Sequence, residues 1–247
     1  MKLISINTYC GKRTELLLHF LNQHSDVDVF CFQEVYHNAQ GKDMIWGTLG
    51  SNLNLLGDIK KALPNYDSYY RPHLEDWWGL AMFIKKELLI FEEGENFVHK
   101  FKGYNPTIEP LGYTAKNIQF IKTENSNKPI TVLNFHGLWN GKGKGDTEER
   151  LNQSRNIIKF IKNIKGDFIF LGDFNLSPDT ESLQMISCEL NCRELIKEYG
   201  ITSTRTSLYT KPNKFADYVF VSNGIKIINF KVLPDEVSDH VPLLLEI

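Results

Sequence analysis

The chain has 247 residues, of which 42% are hydrophobic and 23% are charged, and its formal net charge is −2. This balance is typical of a folded globular protein and excludes a chain that is mainly disordered. The near-neutral charge also argues against a protein that coats nucleic acid through bulk positive charge, so any basic surface has to be local.

The sequence favours a location in the cytoplasm. No apolar run approaches the roughly 18 residues that a membrane-spanning helix requires, and residues 1–7 lack the basic flank and long apolar stretch of a secretory signal. The spacing of Cys188 and Cys192 does not match a zinc-binding motif, and four cysteines are too few for a disulfide scaffold. We therefore expect a monomer with reduced thiols and no membrane span.

Short β-branched or aromatic runs alternate with amphipathic segments, which is typical of a layered α/β domain. In chain order we predict strand 3–6, helix 14–23, strand 27–33, helix 53–62, strands 80–85, 116–122 and 130–135, helix 147–164, strand 168–171, helix 180–190, and strands 217–222, 225–233 and 242–246. These strands are too many for a simple βαβ repeat, so two sheets with helices outside fit best. No repeat or long linker interrupts the pattern, and residues 1–247 are expected to form one domain.

The helix predicted over residues 147–164 has the clearest signals. Asp146 can cap its first turn and Glu149 would complete a capping box. Its apolar residues recur at helical spacing and form one stripe. The stripe consists of Leu151, Ile157, Ile158, Ile161 and Ile164.

Polar side chains stand at the ends of five apolar strands. They are Asn7, Glu34, His136, the pair Asp173 and Asn175, and the pair Asp239 and His240. A single Asp or Asn at such a position usually stabilises a turn or a helix end. Five endings drawn from carboxylates, amides and imidazoles instead indicate chemistry carried by a rigid scaffold.

Four segments resemble, in order, the motifs of the endonuclease/exonuclease/phosphatase superfamily. They are 33–35 (QEV), 172–175 (GDFN), 216–221 (ADYVFV) and 238–240 (SDH), and with Asn7 they span nearly the whole chain. The GDFN and SDH segments are specific for this superfamily when both lie at the ends of apolar strands, whereas either segment alone is a weak signal. The resemblance implies a four-layer α/β/β/α sandwich, with two mixed sheets packed face to face, and hydrolysis of phosphoesters with a divalent metal.

The resemblance also implies roles at a metal centre. Glu34 resembles the principal metal-binding carboxylate, with Asn7 and Asp239 beside the ion. Asp173 resembles the carboxylate that orients or deprotonates the attacking water, and Asn175 a donor to the phosphate oxygens. Carboxylate and amide oxygens suit Mg²⁺ or Mn²⁺, and the absence of a Cys/His cluster in the sequence argues against structural zinc.

Two histidines carry the remaining roles implied by the resemblance. His240 resembles the imidazole that contacts the scissile phosphate, and Asp217 the carboxylate that fixes its tautomer. His136 matches a histidine of the deoxyribonuclease and sphingomyelinase branches, whose carboxylate partner has Glu75 as a candidate here. Tyr9 stands where relatives of abasic endonucleases often carry a carboxylate, which argues against a close relationship to them.

A glycine-rich loop, residues 141–146, follows His136 closely and carries Lys142 and Lys144. It can hold substrate phosphates or be a flexible connector with solvated lysines. Arg150 and Arg155 lie five residues apart on the predicted helix and cannot share one face, so at least one is a surface or packing residue.

Arg205 and three tryptophans give further clues about the substrate. Arg205 lies in a segment where the family places residues near the phosphate, and the alternative is a structural salt bridge. Trp78, together with Trp77 and Trp139, can stack on a base or a sugar, and the alternative is core packing.

The first functional hypothesis is a phosphodiesterase acting on DNA or RNA. The alternative is an enzyme for a small or lipid-derived phosphoester, such as an inositol phosphate or a sphingomyelin-like diester, which the mildly acidic charge favours. A binding module without turnover is a third possibility, disfavoured because all the expected chemical groups are present. A positive strip beside the site would favour the nuclease, and a closed pocket with an apolar rim would favour the small substrate.

Overall fold

The computed structural model describes residues 1–41, 49–104 and 114–247. Its strands are β1 (Lys2–Asn7), β2 (Val29–Tyr36), β3 (Tyr66–Leu74), β4 (Trp78–Lys85), β5 (Glu92–His99), β6 (Lys116–Asn125), β7 (Lys128–His136), β8 (Asp167–Asp173), β9 (Cys192–Glu194), β10 (Asp217–Ser222), β11 (Asn229–Val232) and β12 (Leu243–Glu246). Its helices are α1 (Thr14–Gln23), α2 (Leu55–Ala62), α3 (Glu148–Ile161), α4 (Glu181–Glu189) and α5 (Leu195–Glu198), with a 3₁₀ turn at Tyr9–Gly11. Among these helices none is long and apolar enough to cross a membrane.

The strands form two six-stranded sheets. The first has the order β11-β12-β1-β2-β4-β3 and the second the order β5-β6-β7-β8-β10-β9. Both sheets are mixed, because β1 pairs with β2 and β7 pairs with β8 in parallel while their other neighbours are antiparallel. The predicted α/β sandwich of two mixed sheets with outer helices is therefore confirmed.

The alternation of side chains along each strand explains why the strands are almost continuously apolar. On β2, Val29 and Cys31 belong to the core that includes the second sheet, whereas Phe30 and Phe32 pack in the cluster formed with helices α1 and α2. A strand covered on both faces needs apolar residues at every position. Burying each phenylalanine contributes about 1.5–3 kcal/mol relative to leaving it exposed.

A belt of buried amides, which we define as Gln33, Gln119 and Asn134, crosses the space between the sheets. Gln33 Nε2 donates to Asn134 Oδ1 at 2.7 Å, and Asn134 Nδ2 donates to Gln119 Oε1 at 3.2 Å. Gln119 Nε2 then donates to the carbonyl of Tyr69 at 2.7 Å. The belt links four strands from both sheets, since buried amides require partners inside the protein.

The strands that the hydrophobic pattern failed to predict lie at sheet edges. β3, β5 and β9 are edge strands, and the first two are mostly half-exposed. An edge strand buries only part of its surface and so tolerates residues such as Pro72 and Glu92. The short helix α5 was also missed, and the strand predicted over 225–233 is confined to Asn229–Val232.

The predicted cap of α3 was assigned to the wrong residue. Thr147 is the N-cap, and its side chain accepts a hydrogen bond from the amide of Arg150, so no capping box forms between Asp146 and Glu149. Asp146 instead accepts hydrogen bonds from the amides of Glu181 and Ser182, at the start of α4. Its carboxylate stabilises the positive end of that helix.

Candidate active site

The strand register places the polar residues of the second sheet side by side. His136, at the end of β7, is the pairing partner of Asp173 on β8, and Asp173 is the partner of Asp217 on β10. In the first sheet, Asn7 at the end of β1 pairs with Gln33, and Glu34 follows it. All eight residues proposed for the centre converge at this end of the sandwich, including Asn175, Asp239 and His240.

The backbone is strained where it presents the carboxylates. Glu34 has a φ of +58° at a register shift in β2, and the Thr8 hydroxyl contacts its carbonyl at 3.0 Å. Asn175 has a φ of +55°. Gly172 approaches the neighbouring strand so closely that a Cβ would lie 2.0 Å from the carbonyl oxygen of Phe135. Such conformations cluster at functional sites, where the surrounding structure holds them in place.

Asn7 connects the two carboxylates at the centre. Its Nδ2 donates to Glu34 Oε1 at 3.0 Å and to Asp173 Oδ2 at 2.9 Å, while its Oδ1 accepts from the amide of Tyr9. In this orientation the Nδ2 group of Asn7 donates both hydrogen bonds and so holds the two carboxylates in position. The Cys10 thiol donates to the second oxygen of Glu34 at 3.2 Å. Burial raises the pKa of Glu34, although the hydrogen bond from Asn7 opposes the change.

His240 is held by Asp217. Its Nδ1 lies 2.8 Å from Asp217 Oδ1, and its Nε2 lies 3.6 Å from Asp173 Oδ2. Burial lowers the pKa of His240 and raises the pKa of Asp217. The pairing assigns the Nδ1 proton to the bond with Asp217, so a neutral imidazole directs an unprotonated Nε2 towards Asp173.

His136 faces the same carboxylates from another strand. Its Nε2 lies 3.7 Å from Glu34 Oε1 and 3.9 Å from Asp173 Oδ2. Its ring packs edge to face with His73 and Trp78, with centroids 5.8 Å away in each case. Burial lowers the pKa of His136 well below its ordinary value, so the ring is neutral near pH 7.

Glu75 is not the partner of His136. Its exposed carboxylate accepts a hydrogen bond from Trp77 Nε1 at 2.7 Å. The Nδ1 of His136 is buried and has no hydrogen-bond partner in the residues that the structure describes. The candidate pairing of Glu75 with His136 is therefore not formed, because the exposed carboxylate of Glu75 bonds to Trp77 instead.

A pocket of about 370 Å³ is lined by six of the residues proposed for the centre, namely Glu34, His136, Asp173, Asn175, Asp239 and His240. One part of its lining, which we call the aromatic wall, belongs to a small hydrophobic cluster. The aromatic wall consists of Cys10, Tyr36, Leu74, Trp77 and Trp78. Tyr9 and Trp139 also line the pocket and are half-buried, as expected for side chains that contact a ligand.

Another part of the pocket lining is positively charged. We call it the cationic wall and define it as Lys144, Arg205 and the aromatic ring that both of them contact, Tyr209. Arg205 Nη1 donates to Asp239 Oδ2 at 2.8 Å, and its guanidinium carbon lies 4.2 Å from the centre of the Tyr209 ring. Lys144 Nζ donates to the carbonyl of Phe215 at 2.7 Å and lies 5.4 Å from the same ring. Burial lowers the pKa of Lys144 to about 8. Arg205 therefore forms a salt bridge and lines the pocket at once.

Arg150 holds the glycine-rich loop in place. Its guanidinium is 2% exposed and donates to the carbonyls of Gly145 at 2.5 Å and Gly143 at 2.8 Å, on either side of Lys144. The loop is thus an ordered support for Lys144. Lys142 is exposed and is absent from the pocket lining within the described residues, and Arg155 is exposed on α3.

The family model of the endonuclease/exonuclease/phosphatase family matches residues 4–240. The chain belongs to this family. A curated relative, the UPF0294 protein of Vibrio campbellii, is 31% identical over 137 residues, which are 55% of this chain and 46% of that protein. The chain thus spans about half the length of that relative.

Solved structures share the fold over the whole chain. A mannosyl-6-phosphatase of Bacteroides thetaiotaomicron superposes with a TM-score of 0.76 at 18% identity, covering 100% of this chain and 98% of that chain. The human Nocturnin catalytic domain gives a TM-score of 0.65 at 17% identity, covering 99% and 93%. These likenesses show the deoxyribonuclease-like fold of the endonuclease/exonuclease/phosphatase family, and the predicted fold class is confirmed.

The centre of this family member offers donors that fit a divalent cation. Ligand atoms of Glu34, His136 and Asp173 lie within 4.8 Å of one another, and a second such group joins Asp173 to Asp217 and His240. Asp239 Oδ1 is buried without a hydrogen-bond partner in the described residues. Clustered carboxylate oxygens are the ligands that Mg²⁺ and Mn²⁺ prefer.

Several pocket residues escaped sequence reasoning. Tyr9 and Cys10 come two and three residues after Asn7, so the turn after a strand that ends in a functional residue was a usable signal. Tyr209 and Lys211 come from the long segment between α5 and β10, whose path the hydrophobic pattern does not predict. Lys116, which is buried but absent from the described pocket lining, had no signal either, because a lysine at the start of a strand is normally exposed.

Proposed function

We propose that this protein hydrolyses a small organic phosphoester with the help of Mg²⁺ or Mn²⁺. The observation that carries the proposal is the composition of the pocket. Its acidic and imidazole centre contacts the aromatic wall where His136 meets Trp78, and it contacts the cationic wall where Asp239 meets Arg205. Such a pocket provides a place for a phosphate and for the ring or apolar group attached to it.

The proposed metal would be held by Glu34, with Asp239 and Asp173 contributing oxygens. When bound, it would withdraw negative charge from the phosphate oxygens and so make phosphorus easier to attack. Asp239 is already fixed by Arg205 at 2.8 Å, and Glu34 by Asn7 at 3.0 Å. Carboxylates held in this way lose little freedom when they take up a ligand.

Asp173 is proposed to orient the attacking water. Its Oδ1 accepts a hydrogen bond from the amide of Asn175 at 2.8 Å, and its Oδ2 accepts one from Asn7. The lone pairs that remain on these oxygens can accept a hydrogen bond from the water. Asn175 lines the pocket and is proposed to donate to a phosphate oxygen. Fixing the water relative to phosphorus removes part of the entropic barrier.

His240 is proposed to accept at Nε2 the proton of the attacking water and to pass it to the leaving-group oxygen as the bond between that oxygen and phosphorus breaks. The neutral ring donates Nδ1–H to Asp217, and a protonated ring would form an ion pair with that carboxylate while Nε2–H donates to phosphate. His136 lies across Asp173 from His240 and is a second candidate for protonating the leaving group.

Cleavage of DNA or RNA is the second candidate function. Half-buried Tyr9, Trp139 and Tyr209 at the pocket can stack on bases as well as on other rings. Among the described residues, the cations that line the pocket are Lys144, Arg205 and Lys211, and their small number favours one phosphate group over a long polyanion.

A panel of substrates tests the proposal. Phosphomonoesters and phosphodiesters with a ring-bearing group would be compared with methyl esters, single-stranded DNA and RNA, each with Mg²⁺ and with EDTA. We expect metal-dependent turnover to be highest for small ring-bearing esters. Trp139→Ala should raise KM for these and leave the KM of methyl esters unchanged. Preference for long nucleic acid would replace the first candidate with the second, and turnover in EDTA would contradict both.

A further inference from the structure

Lys116 is a buried cation that the proposed mechanism does not use. It is the first residue of β6 and is 0% exposed. Its Nζ has no hydrogen-bond partner in the described part of the chain. Burial of an ammonium group without hydrogen bonds is strongly unfavourable, so its presence requires compensation from other charges or rings.

That compensation comes from the active-site end of the sandwich. Lys116 Nζ lies 5.3 Å from the centre of the Trp78 ring, within range of a cation–π interaction. Burial lowers the pKa of Lys116 to about 8, and the negative charges of Glu34 and Asp173 limit this decrease. Trp78 packs against His136, and His136 Nε2 lies 3.7 Å from Glu34 Oε1 and 3.9 Å from Asp173 Oδ2. Only two rings therefore separate the ammonium from both carboxylates of the proposed metal centre.

The lining of the pocket includes Trp78 and His136 but, among the described residues, does not include Lys116. Trp78 packs edge to face against His136 and is also the ring nearest to the ammonium. A ligand in the pocket would thus meet these rings and feel the charge of Lys116 without touching it. In a region of low dielectric constant, such a charge acts over a longer distance than in water.

We propose that Lys116 is a positioning residue whose fixed positive charge balances Glu34 and Asp173 in the metal-free protein and weakens their hold on the divalent ion. The inference rests on the proposed function, since it requires a cation at Glu34. The carboxylates of Glu34 and Asp173 both accept a hydrogen bond from Asn7, and their negative charges repel each other. A nearby cation reduces that repulsion. The same charge repels an incoming metal and attracts a phosphate.

Two kinds of substitution distinguish the effect of the charge of Lys116 from the effect of its packing. Lys116→Met removes the charge and keeps much of the side-chain length, whereas Lys116→Arg keeps the charge. Lys116→Gln is a second neutral variant for use if the methionine variant does not fold. Lys142→Met is the matched control, because Lys142 is an exposed lysine outside the pocket lining.

The test is Mn²⁺ binding, followed by electron paramagnetic resonance and by calorimetry on folded protein. We expect the neutral variants to bind Mn²⁺ about tenfold more tightly than wild type, because a like charge near the ion has been removed. Their metal-free melting temperature should fall, while Lys116→Arg and Lys142→Met should bind like wild type. An unchanged Mn²⁺ affinity in a neutral variant, or a tenfold change in Lys116→Arg, would overturn the inference.

Failure of the proposed function has a different signature. Glu34→Gln should lose Mn²⁺ binding in the same experiment, because the ion loses its main anionic ligand. If wild type and Glu34→Gln bind Mn²⁺ equally, the ion is not at this centre, and both the proposed function and the inference fail. If only the Lys116 variants disagree with expectation, the inference alone fails.

Discussion

Two buried polar regions of this molecule differ in how their hydrogen bonds are completed. In the amide belt between the sheets, Asn134 donates to Gln119 and Phe32 and accepts from Gln33, and one carbonyl oxygen, Gln33 Oε1, has no partner among the described residues. At the active-site end, several buried polar atoms lack partners in the described part of the chain. They include Trp78 Nε1, Lys116 Nζ, His136 Nδ1, Arg205 Nε and Asp239 Oδ1.

The difference distinguishes polar groups that have a structural role from polar groups that have a functional role, without comparison with a related protein. Most of the polar groups in the belt that holds the sheets together are satisfied inside the protein, because each unmet donor or acceptor would cost about 1–3 kcal/mol. Polar groups beside a pocket can remain incomplete in the free protein, since a ligand, an ion or water completes them. The predictions below test whether the two regions respond to substitution in these two ways.

The largest effect is expected at the proposed metal carboxylate. Glu34→Ala should reduce activity by about 10³-fold or more and weaken Mg²⁺ binding, because a metal contributes several kcal/mol of transition-state stabilisation. The fold should persist, since Glu34 lies at the register shift of β2 and forms no part of the regular pairing with β4. Activity and Mg²⁺ titrations check this. Glu75→Ala, which removes an exposed carboxylate outside the pocket lining, should match wild type in both.

His240→Ala should lower kcat by about 10²–10⁴-fold and change KM far less, because a proton-transfer or electrostatic group acts mainly in the transition state. Asp217→Asn should show a smaller defect of the same type. The double variant should be little worse than His240→Ala, since the two residues act as one unit at 2.8 Å. Steady-state kinetics check this, and a folded, fully active His240→Ala enzyme would remove the residue from the mechanism.

Substitutions in the amide belt should show the reverse pattern, in which stability falls and activity is retained. Asn134→Ala should lower the free energy of unfolding by about 1–3 kcal/mol, because it leaves Gln33 and Gln119 without their shared partner. Once folded, the variant should keep its kcat within about twofold. Denaturant unfolding and kinetics on one preparation measure both quantities, and Asn163→Ala on the surface serves as the control. A stable but inactive Asn134→Ala protein would abolish the distinction between the two regions.

The smallest effect concerns pH and the cationic wall. The pKa of Lys144 is lowered to about 8, so its positive charge is present below that pH and is lost above it. Because the cation attracts the phosphate, KM should rise by up to about tenfold as pH increases through 8. Lys144→Met should start with the high KM and show no such rise. If Lys142→Met also abolishes the pH dependence, a general surface-charge effect explains it better.

Strand-end reasoning succeeded where sheet register decides the outcome. His136 and Asp173 end apolar runs and are paired neighbours in adjacent strands, so this pattern predicted their places in the centre. Asp217, the first residue of β10 and the pairing partner of Asp173, was expected only from the family resemblance. The positions of Glu34 and Asn7 followed in the same way from the parallel pairing of β1 and β2. Local pattern and tertiary arrangement agree at these positions.

Other features depend on contacts between distant segments and left no local pattern. Asp146 caps a helix that begins 35 residues later, and Glu75 turns to solvent after an edge strand. Lys142 and Lys144 look equivalent in the sequence, but only Lys144 is held over the pocket, because Arg150 fixes the carbonyls on either side of it. Lys116 is buried by packing of one sheet against the other.

The most direct test of the account is an anomalous difference map from crystals grown with Mn²⁺ and phosphate. The account predicts a manganese peak within about 2.3 Å of a Glu34 oxygen, since divalent ions bind carboxylates at that distance. It also predicts a phosphate between this ion and His240. A phosphate-filled pocket with no manganese at Glu34, or manganese bound only elsewhere, would contradict it.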